Sequence, residues 1–84
     1  MSVTKDLFQR LKKSKNPHLL IVEALVEADL MFVETQEMIY QIKGTVFDDA
    51  ILFARTGKVQ TRIGTKFTIH QGSFEELSAI MRGY

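Results

Sequence analysis

The chain has 84 residues, 45% apolar and 25% charged, with a net charge of +1, which describes one folded domain over 1–84 and excludes a disordered chain. It contains no cysteine, which excludes disulfide staples, thiolate metal sites and a cysteine nucleophile and makes a reducing, intracellular compartment the expectation. The longest aliphatic run, residues 19–22, is followed by Glu23, Glu27 and Asp29; this falls far short of the ~20 apolar residues of a membrane span and lacks the form of a signal peptide, so the chain reads as cytoplasmic with no membrane partner.

Charge is segregated along the chain. Residues 1–16 carry +4, residues 17–42 carry −5 without a single Lys or Arg, residues 43–66 carry +3 and residues 67–84 carry −1. Such blocks can polarise a surface, and folding can also bring them together and cancel them.

The first predicted element is a short helix over 5–14, with Leu7, Phe8 and Leu11 on one face and Thr4 as its N-cap. Lys12, Lys13 and Lys15 fall at its C-terminal end, where the helix dipole favours cations. Asn16-Pro17 pairs a good N-cap with a residue suited to the first helical turn, so a second helix starts there. Two readings compete for its length. In one, Ile21, Leu25, Ala28, Phe32, Thr35, Ile39 and Ile42 line a single helix of about 27 residues that Gly44 stops. In the other, the helix ends near Asp29 and residues 38–43 form a strand with Met38, Tyr40 and Ile42 on one face. A helix of that length is unusual in so small a globule, so helix then strand is preferred.

From Gly44 onward the period is close to two. Residues 46–54 predict a strand, residues 55–57 a three-residue hairpin loop with Gly57 left-handed, and the return strand follows. That loop sets Phe53 opposite Val59 and Ile51 opposite Thr61. Ile51, Phe53, Val59, Thr61 and Ile63 then share one face, and Ala50, Leu52, Lys58, Gln60 and Arg62 share the other. A two-residue turn at Thr56-Gly57 would instead place Ile51, Phe53, Arg55, Lys58, Gln60 and Arg62 together, interleaving aromatic and cationic side chains. Residues 65–70 predict a further strand, with Phe67 and Ile69 on one side and Lys66, Thr68 and His70 on the other. Ser73 and Glu76 form a capping-box pattern that opens a last helix to about Arg82, with Phe74, Leu77, Ile80 and Met81 on its apolar face and Gly83 as its stop. The fold class is α+β: two N-terminal helices, a small antiparallel sheet of three to four strands, and a C-terminal helix.

Catalytic chemistry finds little support. His18 and His70 are far apart in sequence with no local metal-ligand spacing. Asp48-Asp49 would point to opposite faces of a strand and mark a turn or bulge entering the hairpin. There is no phosphate loop, nucleotide fingerprint or serine elbow. No catalytic residue, cofactor or metal is therefore predicted. The expected function is a small non-enzymatic protein-interaction module (an adaptor, inhibitor or regulatory subunit) whose partner is another protein or a second copy in a homodimer. Its candidate surface is the acidic and apolar stretch with Glu23, Glu27, Met31, Phe32, Glu34 and Met38, because methionine-rich surfaces adapt to partners. The alternative is nucleic-acid binding by Arg55, Lys58, Arg62 and Lys66 on the basic hairpin.

Overall fold

In the computed structural model, which describes residues 7–82, Asn16 caps the second helix by accepting a hydrogen bond from the Leu19 amide, with Pro17 in the first turn. The elements are α1 (Leu7–Lys13), α2 (Pro17–Glu27), β1 (Met31–Gln36), β2 (Ile39–Lys43), β3 (Asp49–Phe53), β4 (Lys58–Ile63), β5 (Lys66–Gln71) and α3 (Phe74–Met81). The strands follow one another in a five-stranded antiparallel meander, β1-β2-β3-β4-β5. The fold is α+β. The predicted caps at Thr4 and Gly83 lie outside the described residues.

All three helices pack on one face of the sheet, because each has one apolar stripe to bury. Ile21 and Leu25 of α2, Leu77 and Met81 of α3, and Leu7, Phe8 and Leu11 of α1 meet Tyr40, Ile42, Ala50, Leu52 and Val59 in a single core. Phe8 meets Phe74 edge-on at 6.1 Å, which joins the first helix to the last. At α3 the capping box is complete. Ser73 accepts from the Glu76 amide, and the Glu76 carboxylate accepts from the Ser73 amide. Arg82 donates to the Ala28 carbonyl at 3.3 Å, tying the end of α3 to the end of α2.

The chain from 17 to 43 folds as helix then strand, with Met38, Tyr40 and Ile42 all buried as the period of two requires. The sheet has one strand more than the three to four expected. That strand is β1, paired with β2 through a two-residue turn at Glu37-Met38. Met38 adopts φ 63° there, a conformation that costs an L-residue about 1 kcal/mol, and its 5% exposure supplies the offsetting burial.

The β3–β4 hairpin corrects the predicted register. Phe53 pairs with Lys58, Leu52 with Val59, Ile51 with Gln60 and Ala50 with Thr61. The loop therefore has four residues, 54–57, and the Phe53 carbonyl accepts from the amides of Thr56 and Gly57. Gly57 does take the left-handed conformation, at φ 71°. The physical reason for the shift is burial. A three-residue loop would place Leu52 beside Lys58 and Gln60, whereas the observed pairing buries Ala50, Leu52, Val59 and Thr61 together. One further loop residue costs only tenths of a kcal/mol, and burying a leucine stabilises by about 2 kcal/mol.

Candidate functional site

Because the helices occupy one face, the other face of the sheet has no covering layer among the described residues. Its side chains run in rows across the strands. One row is Val33, Gln41, Ile51, Gln60 and Ile69; a second contains Ile39, Phe53 and Lys58; a third contains Met31, Lys43, Asp49, Arg62 and Phe67. Met31, Val33, Phe67 and Ile69 are each more than half exposed, while Ile39, Ile51 and Phe53 are half-buried by their neighbours.

The cations on this face are not equivalent. Arg62 donates from Nε to Asp49 Oδ2 at 2.8 Å, its Nη2 lies 2.7 Å from the same oxygen, and it also donates to the Gly64 carbonyl. Asp48 sits in the bend before β3 and accepts from the Gly64 amide, so the aspartate pair and Arg62 clasp β3 to the β4–β5 turn. Lys43 and Lys58 have no ion-pair partner among the described residues. Lys43, Lys58 and Arg62 against Asp49 leave the face at +2.

The fold disperses the candidate surface residues read from the sequence. Met31 lies on the open sheet face. Phe32 points to the core side, with its ring 5.9 Å from Tyr40. Glu23 and Glu27 are exposed on α2, on the far side of the molecule from Met31. Met38 is buried, and Glu34 reaches toward His18. The basic candidates divide as well. Lys58 and Arg62 share the open face, whereas Arg55 sits in the hairpin loop and pairs with Glu37 at 3.4 Å. Lys66 falls on the opposite side of β5, in phase with Thr68 and His70. Four cations in sequence thus become two on the open face, one of them already paired. Ile51 and Phe53 share a face with Lys58, Gln60 and Arg62, the set that the two-residue turn would have given apart from Arg55; Val33, Ile39, Phe67 and Ile69 join them only through the pairing of β1, β2 and β5.

A second feature lies between α1, the start of α2 and the hairpin turns. It is a cleft of about 570 Å³, with Phe8, Leu11, Met38 and Ala54 as apolar lining and Lys12, His18, Glu34 and Arg55 among its polar groups. Here the fold brings Glu34 and Met38 together with Arg55. His18 Nδ1 is 2.8 Å from the Tyr40 hydroxyl and 3.6 Å from Glu34. Burial, and then the Glu34 carboxylate, push the Tyr40 phenol up to about 12, so the hydroxyl stays protonated through the neutral range. His70 is bound to Thr61 at 2.9 Å in a separate place. Among the described residues no three His, Asp or Glu side chains gather where they could hold a metal, and no helix is long and apolar enough to cross a membrane.

No protein-family model, curated protein or solved structure matches the chain.

Proposed function

We propose that this chain is a small non-enzymatic protein-interaction module, an adaptor, inhibitor or regulatory subunit, that works through the open face of its sheet. The observation that carries this reading is the set of Met31, Val33, Ile51, Phe53, Phe67 and Ile69 on a face with no covering layer among the described residues. Five strands of this length span on the order of 400 Å², shared between these apolar side chains and Gln41, Lys43, Lys58, Gln60 and Arg62, and an apolar cluster with polar neighbours is the make-up of many interaction surfaces. The working surface differs from the acidic stretch read in the sequence, since only Met31 of those candidates lies on it.

One observation favours nucleic acid as a second reading. The hairpin register sets Phe53 beside Lys58, with Arg62 and Phe67 on the same face, and aromatic rings among cations suit stacked bases. The charge argues the other way. Phosphate binding scales with available cations, and Arg62 is held by Asp49.

The two readings separate by affinity capture from the source cells with and without nuclease, using wild type and the variant Ile51→Lys/Ile69→Lys. A protein partner survives nuclease and is lost from the variant. Capture that the variant leaves unchanged overturns the open face as the surface. Capture abolished by nuclease, with binding to single-stranded RNA or DNA that weakens as salt rises, replaces the proposal with the nucleic-acid reading.

A further inference from the structure

The side of α2 turned away from the sheet carries Leu19, Glu23, Val26 and Glu27, spaced i, i+4, i+7 and i+8 along one stripe. Leu19 and Val26 are 51% and 63% exposed, and neither acid has an ion-pair partner among the described residues. The open sheet face, on the opposite side of the same two layers, has the complementary character: apolar, with unpaired Lys43 and Lys58. We propose that the occupant of the open face is a second copy of this chain, docked head-to-tail so that α2 of one copy lies across β3 and β4 of the next. This rests on the open face being an interaction surface.

Charge and apolar character both select this arrangement. Two open faces packed on each other would set Lys43 and Lys58 against their own kind, and like charges across an interface are costly. An α2 stripe brings acids to those lysines and two aliphatic side chains to the Ile51 and Phe53 surface. The exposed side of α1 carries Arg10, Lys12 and Lys13, which the same face repels. The docked copy is therefore offset, with α2 over the sheet and α1 beyond its edge. At 11 residues, α2 is about 16 Å long, so the contact is small and its affinity falls at the weak end of specific interfaces.

The two surfaces differ and lie on opposite sides, so the contact is heterologous and does not close as a dimer. Copies add in one direction. The thinnest extent of the molecule is 21 Å, and each added copy advances the stack by roughly 20 Å, one helix layer and one sheet layer of about 10 Å each.

Sedimentation equilibrium of the full chain at rising concentration tests this, at low and high salt. The expected result is a weight-average mass that climbs past the dimer without levelling and falls back as salt screens the ion pairs. Glu23→Lys/Glu27→Lys and Ile51→Lys/Ile69→Lys should each abolish association alone. Mixed together, they should form a 1:1 complex that grows no further, because one retains a working sheet and the other a working α2. A single cooperative thermal melt for each variant verifies its fold. A chain that stays monomeric at every concentration overturns the second copy while leaving a foreign protein as the occupant. A mass that levels at the dimer and is insensitive to Glu23→Lys/Glu27→Lys overturns the head-to-tail geometry. Association that survives Ile51→Lys/Ile69→Lys overturns the open face itself, and the reading beneath it.

Discussion

Tyr40 shows how a side chain can be legible as core and still carry a polar duty. Its alternation with Met38 and Ile42 predicts burial, and it is fully buried with its hydroxyl on His18. Its phenol is raised from 10.0 to about 12. A group raised in this way contributes stability that is complete below its unfolded pKa and lost as pH climbs through the folded one. Wild type should therefore lose on the order of 2–3 kcal/mol between pH 9 and 12 from this group. Tyr40→Phe should lose about 1 kcal/mol at neutral pH and show a correspondingly shallower alkaline decline in urea midpoints; an identical decline in both proteins would refute the assignment. Glycine supplies a second comparison at this scale. Gly44 and Gly57 both have φ 71°, but an added Cβ at Gly44 meets nothing within 4 Å, whereas at Gly57 it lies 3.1 Å from the Phe8 ring. Gly44→Ala should cost about 1 kcal/mol from backbone strain alone. Gly57→Ala should cost more, and equal costs would show that Phe8 yields freely.

At the scale of elements, helix boundaries were readable because their signals are local. Asn16-Pro17 and Ser73-Glu76 satisfy amides within one turn, so a few residues are sufficient to specify them. Ser73→Ala should lower stability by about 1 kcal/mol, measured by urea denaturation. β1 escaped notice because its turn is Glu37-Met38, with neither Asn nor Gly to mark it. Its left-handed residue is tolerated by burial against the rest of the core, not by its own chemistry. The β3–β4 register escaped for a related reason: Gly57 announces a turn but not whether three or four residues form it. Leu52 decides that question experimentally. In the observed register Leu52→Ala should cost about 2–5 kcal/mol, whereas Ile51→Lys on the open face should cost under about 1 kcal/mol. Reversal of that order in chemical denaturation would restore the three-residue loop.

At the scale of the whole molecule, the proposed function rests on the layering. Among the described residues, three helices cover one face of five strands, and the other face carries apolar side chains in rows. The acidic block of 17–42 does not form one surface, because α2 places Glu23 and Glu27 on the outside of the helix layer while Glu34 reaches toward His18 and Glu37 pairs with Arg55. The basic block of 43–66 is likewise split by strand alternation and by pairing with Asp49 and Glu37. Charge polarity survives, but between the outer side of α2 and the open sheet face. Self-association that depends on Glu23, Glu27 and Ile51, read as mass against concentration, is the expected consequence.

The α+β class, the caps at Asn16 and Ser73, and the alternation of position along β2 and β3 were all set by neighbours within a few residues of one another. Such features depend on local hydrogen bonding and on side-chain period, which a sequence displays directly. The existence of β1, the hairpin register and the choice of which apolar residues remain exposed were decided only by tertiary structure. Each depends on how many apolar residues the helices can cover at once. That competition is settled by burial across the whole core, where the loss of one leucine outweighs a loop residue or a strained turn.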